Sequence, residues 1–87
     1  MKSLFTYGPM TYDVLLEMGT LVGGHYQSWA YEAQTQAEAE HWNDEAQKIR
    51  QQVWAINSDD PEQVTRTLDQ LTELWRSLPD KAPELSL

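Results

Sequence analysis

The chain has 87 residues and a mass of 10.1 kDa, a length that suits one small domain with limited interior. Fourteen acidic against six basic side chains give a formal charge of −8 and a pI near 4.4, which excludes binders of phosphate backbones or anionic lipid, since those depend on clustered Lys and Arg. With no cysteine, disulfide frameworks, thiolate zinc sites and cysteine nucleophiles are excluded as well.

No apolar run approaches the roughly 18 residues of a membrane span. The opening Met1 to Pro9 also lacks the apolar core of a secretory signal. A cytoplasmic location is the expectation. Leu4, Phe5 and Tyr7 make residues 1–9 an apolar arm. A first helix is expected over residues 11–22, capped by Thr11, with Leu15, Met18 and Val22 on one side and Gly23-Gly24 as its breaker.

Residues 25–57 contain no Gly or Pro and are rich in Ala, Gln and Glu, so a long helix is expected there. Its C-terminal half carries an apolar stripe, Ala39, Trp42, Ala46, Ile49, Val53 and Ile56, at alternating spacings of three and four. The turn formers Asn57 to Asp60 end it. Asp60-Pro61-Glu62-Gln63 then reads as the start of a third helix over 61–78: Asp60 caps, Pro61 takes the first helical position, and Gln63 reaches back. Its stripe is Val64, Leu68, Leu71, Trp75 and Leu78, and Pro79 stops it ahead of a frayed tail over 79–87.

Folded about Ser58-Asp59, the two stripes register as an antiparallel hairpin, with Val53 opposite Val64, Ile49 opposite Leu68, Ala46 opposite Leu71 and Trp42 opposite Trp75. The same register sets Lys48 beside Asp69. In the N-terminal half of the long helix, Tyr26, Ala30 and Ala33 register with Val22, Met18 and Leu15. The expected fold is all-α: a small, elongated three-helix arrangement with a long central helix and an antiparallel C-terminal helical hairpin.

His25 and His41 are the only histidines, and they are not at clamp spacing; Glu38 and Glu45 flank His41, short of a convergent ligand set. No nucleophile elbow or phosphate loop is present. Neither an enzymatic activity, a metal nor a cofactor is expected. Four Trp, four Tyr and one Phe are many rings for a thin body. Trp42 and Trp75 fall on the hairpin seam, whereas Trp29, Tyr31 and Trp54 lie beside the stripes and are expected to be at least partly exposed. Residues 32–45 hold five acids and no Lys or Arg. Exposed Trp and Tyr are the commonest interface anchors, and an acidic face speeds encounter with a basic groove. Trp29, Tyr31, Trp54, Glu38, Glu40, Asp44 and Glu45 are therefore the candidate partner-binding residues. The function they imply is that of a small acidic inhibitor or adaptor, comparable to antitoxins, immunity proteins or phage inhibitors, that occludes a basic surface on a partner protein. A DNA mimic, with carboxylates standing in for phosphates, and a structural homodimeric subunit are the alternatives.

Overall fold

The computed structural model describes residues 8–85. The apolar arm lies almost wholly outside these residues. Three helices and no strand are present among the described residues: α1 (Thr11–Glu32), α2 (Gln36–Trp54) and α3 (Pro61–Ser77). The expected all-α, three-helix arrangement is therefore found, but the longest helix is the first and not the central one. The break falls at residues 33–35, and α1 runs unbroken through Gly23-Gly24.

Packing explains why the glycines do not end the helix. A Cβ on Gly19 would stand 2.8 Å from Val53 Cγ2, and one on Gly23 would stand 3.9 Å from the Ala46 carbonyl oxygen. Gly19 lets α1 approach α2 closely, whereas a Cβ on Gly23 would make only ordinary contact and one on Gly24 would meet nothing; burial along α1 outweighs a helix-propensity cost of about 1 kcal/mol for each glycine. Read as one helix, Leu15, Met18, Val22, Tyr26 and Trp29 form a single stripe at spacings of three and four; all are buried except Met18, which is half-buried.

The real start of α2 is a side-chain cap. Thr35 is extended, and its hydroxyl accepts a 3.1 Å hydrogen bond from the Glu38 N–H, as in the Ser/Thr-x-x-Glu motif. The α3 cap is the expected one, with Asp60 Oδ1 accepting from Gln63 N–H at 3.1 Å. Gln63 reaches back to a different donor, however: its Oε1 accepts from Asn57 N–H at 3.1 Å and so ties the connecting turn. Thr11 is the first residue of α1 rather than its cap, and its Oγ1 accepts from Gly8 N–H at 2.8 Å.

Gly19 meets Val53 while Tyr26 and Trp29 meet Trp42, so α1 and α2 run antiparallel. His25 contacts Trp75, and Trp29 bonds to Asp80 just beyond α3, so α3 runs in the direction of α1. Helices α2 and α3 are thus antiparallel about their turn, with Gln52 Nε2 donating to Gln70 Oε1 at 3.4 Å. Their buried stripes, Trp42, Ala46, Ile49 and Val53 on one and Val64, Leu68 and Leu71 on the other, are those read from the sequence. The expected register between them is not the close contact of the fold: each packs against α1 and hardly against the other, so Val53, Ile49 and Ala46 are covered by α1 instead of seating on Val64, Leu68 and Leu71, Trp42 meets Tyr26 and Trp29, and Trp75 meets His25. Lys48 pairs within its own helix, 3.6 Å from Glu45. The body measures 42 × 21 × 18 Å with a radius of gyration of 14.2 Å, above the roughly 12 Å of a compact chain of this length.

The tail is not frayed over its described part. Residues 78–85 have no helix, yet Leu78, Ala82 and Leu85 pack against the core.

Two glycine substitutions should move stability in opposite directions. A Cβ on Gly24 would meet nothing within 4 Å, so Gly24→Ala should stabilise by about 0.5–1 kcal/mol. Gly19→Ala should destabilise by about 1–3 kcal/mol through overpacking against Val53. Urea unfolding followed by circular dichroism measures both.

Candidate partner-binding surface

The aromatic residues separate into an interior cluster and a few exposed rings. Trp29 is only 2% exposed, which corrects its placement as a surface ring. It lies at the centre of the cluster, 4.7 Å from Trp42 edge-on, 5.6 Å from Tyr26 and 4.9 Å from His25 between ring centroids. Tyr26 and Trp42 stack at 5.8 Å and 11°. Offset and edge-to-face pairs of this kind add about 0.5–1.5 kcal/mol each beyond burial. The Trp29 indole N–H donates to the Asp80 carbonyl at 3.1 Å, whereas the buried Trp42 Nε1 has no hydrogen-bond partner among the described residues. Burial raises the Tyr26 phenol above its usual value of 10.0, and the Glu45 carboxylate raises it further.

Trp54 and Tyr31 are exposed, at 78% and 92%. They stand at opposite ends of the body, because each closes one of two antiparallel helices, so they do not form one patch. The acids divide in the same way. Glu40, Asp44, Gln47, Gln51 and Trp54 follow one another on α2 at alternating spacings of four and three, and all are exposed. They form one outward stripe about 21 Å long at 1.5 Å per residue. Glu38 and Glu45 fall on the other side of α2 and are half-buried. Glu45 is engaged by Lys48 at 3.6 Å and lies 3.9 Å from His41 Nε2. The structure therefore brings together Glu40, Asp44 and Trp54, and leaves Tyr31, Glu38 and Glu45 elsewhere.

Beside the Trp54 end of this stripe runs a groove of ≈ 380 Å³ between α1 and α2. Gly19, Gly23, Gly24 and Ala46 line it together with Leu16, Arg50 and Trp54. Leu16 and Leu21 continue the exposed apolar surface along α1. Arg50 is fixed on the groove wall by a 3.3 Å bond from Nη1 to Gln47 Oε1. This groove is missing from the sequence reading, although Leu16, Thr20, Gly24 and Gln27 recur at spacings of four, four and three. That periodicity is visible only when α1 is continued through its glycines.

Among the described residues no group of three or more His, Asp or Glu converges on a point where a metal ion could sit. Nor is any described helix long and apolar enough to cross a membrane. The surface offers rings, amides and carboxylates for contact.

Trp29→Phe should cost about 1 kcal/mol more than Trp42→Phe, because only the former removes a made hydrogen bond and orphans a carbonyl. Denaturant midpoints of the two variants test this. With Tyr26 held protonated more firmly when folded than when unfolded, its contribution is complete below pH 10.0 and is lost as pH rises further, because the unfolded chain then releases the proton first. Stability should therefore decline above about pH 10, and Tyr26→Phe should reduce that decline in urea titrations at successive pH values.

Comparison with models of protein families, with curated proteins and with solved structures finds no match, so no analogue brings its chemistry to this surface.

Proposed function

We propose that the chain is a small acidic, non-catalytic protein-binding inhibitor or adaptor of the cytoplasm, of the antitoxin, immunity-protein or phage-inhibitor kind, that occludes a basic surface on a partner protein. The observation that carries this reading is Trp54. It stands 78% exposed at the end of a stripe containing Glu40 and Asp44, on the rim of a groove with a glycine-lined floor. Trp42 and Trp29 show that this fold buries indoles readily. An indole left in water beside an apolar groove is the arrangement of an anchor that becomes desolvated on contact.

The charge defines the occupant. With a net charge of −8, and with Glu40 and Asp44 on the stripe that leads to Trp54, a basic partner is drawn in electrostatically, while a second copy of the chain is repelled. The carboxylates set the encounter rate and the ring supplies residence time.

Immobilised wild type, Trp54→Ala and Glu40→Gln/Asp44→Asn chains separate the readings. A basic protein captured by the wild type should bind Trp54→Ala at least roughly 30-fold more weakly, as for a hot-spot anchor. The double variant should bind it with a slower on-rate and a flatter salt dependence. Both positions are exposed, so neither change should alter stability by more than about 0.5 kcal/mol. If the carboxylates carry the affinity and Trp54 does not, the chain is a DNA mimic. If the wild type sediments as a tight dimer with blue-shifted Trp54 emission, it is a self-associating subunit.

A further inference from the structure

Of the six large apolar side chains exposed among the described residues, four stand at the start of α1: Met10, Val14, Leu16 and Leu21. Leu16 belongs to the groove beside Trp54, and the other three form a row of their own. Met10, Val14, Glu17 and Leu21 follow one another at spacings of four, three and four, so they share one side of the helix. The next position of that row is His25, which meets Trp75 of α3 at 5.4 Å between ring centroids. The row therefore runs along the flank of α1 that leads to α3, whereas Leu16 and Gly19 lie on the flank toward α2.

Reach and chemistry both point to the segment that precedes α1 as the cover for this row. Gly8 is pinned to the first turn of the helix: the Thr11 N–H donates to the Gly8 carbonyl at 3.1 Å, and the Gly8 N–H donates to the Thr11 hydroxyl at 2.8 Å. A four-residue turn keeps its ends within about 7 Å, so residues 1–7 are joined to the body right beside the row. Seven residues span about 23 Å at 3.3 Å each, and the row from Met10 to Leu21 is about 16 Å long at 1.5 Å per residue. Residues 1–7 contain Leu4, Phe5 and Tyr7, with Lys2 as their only charged side chain. The row offers three apolar side chains and Glu17, which joins none of the ion pairs found among the described residues. A second copy of the chain is the poorer match. It would set Asp13 and Glu17 against like charges, and three side chains fall far short of the roughly 800 Å² per partner that a stable interface buries.

We propose that the row of Met10, Val14 and Leu21 is the docking surface of residues 1–7 of the same chain, with Leu4 and Phe5 seated on Val14 and Leu21. The tether makes this small contact sufficient, because a short linker supplies an effective concentration of the order of millimolar. Docking closes the flank of α1 that leads to α3 and leaves the flank toward α2, with the Trp54 groove, as the open one. The contact stands apart from the partner-binding reading, since it is made whether or not Trp54 anchors a partner.

The test uses the full chain. Nuclear Overhauser effects should join the Phe5 ring and Leu4 methyl protons to the methyl groups of Val14 and Leu21. Leu4→Ser/Phe5→Ser should lower the urea midpoint, and so should Val14→Gln/Leu21→Gln, which changes two exposed positions to another helix-favouring residue. Combining all four changes should lower it by less than the two losses together, because each pair removes the same contact. The Trp54 indole and Gly24 amide resonances should stay in place in every variant. Contacts from Phe5 to Leu16 or Trp54 would seat the segment in the other groove and overturn the proposal. Contacts found only between differently labelled copies, no contact from Leu4 or Phe5 to α1, or strictly additive losses would overturn it as well.

Discussion

Close contact between α1 and α2 at Gly19 and Val53 is the constraint on which the rest of the molecule depends. With a Cβ position only 2.8 Å from Val53 Cγ2, any larger residue at 19 would require Val53 or the helix to shift. At that separation Leu15, Val22 and Tyr26 reach the core formed with Trp42, Ala46, Ile49 and Val53. Because α1 also carries His25 and Trp29, the same helix positions α3 and the tail. One unbroken helix therefore holds the other two helices and the tail. In a thin body of this size, such sharing of a single element is how a small core is made continuous.

The surface follows from the core. Once one face of α2 is committed to α1, the remaining face presents Glu40, Asp44, Gln47, Gln51 and Trp54 together. Gly19, which permits the close approach, and Gly23 and Gly24 beside it leave the adjoining groove floor without side chains. Gly24 contributes to that floor without any steric need inside the chain. At the other end of the body, residues 78–85 pack back on the core beside Trp29.

The periodicities of α2 and α3 were legible from the residues alone. Val64, Leu68, Leu71, Trp42, Ala46, Ile49 and Val53 can be assigned to the interior from spacing, because a helix presents one face every three or four residues whatever it packs against. The cap at Asp60 is legible for the same local reason. Thr35-Gln36-Ala37-Glu38 is an equally local signal, yet it is masked by helix-favouring neighbours on both sides. Gly23-Gly24 misleads because glycine's helix penalty is about 1 kcal/mol, which tertiary burial readily exceeds. Trp29 follows from that misplacement: with the helix restarted at residue 25 it sits beside a stripe, and with the helix continuous it sits on one.

The sequence by itself determined the class of the fold, the faces of its last two helices, the turn between them and the acidity of the whole, since each of these depends on nearest neighbours or on summed charge. Only the tertiary structure decided which helix holds the others, that Trp29 is buried while Trp54 is not, and that residues 78–85 pack back on the core. Each of these depends on contacts between residues far apart in the chain, such as Gly19 with Val53 and Trp29 with Asp80. Their energies of one to a few kcal/mol are comparable to the local preferences they override.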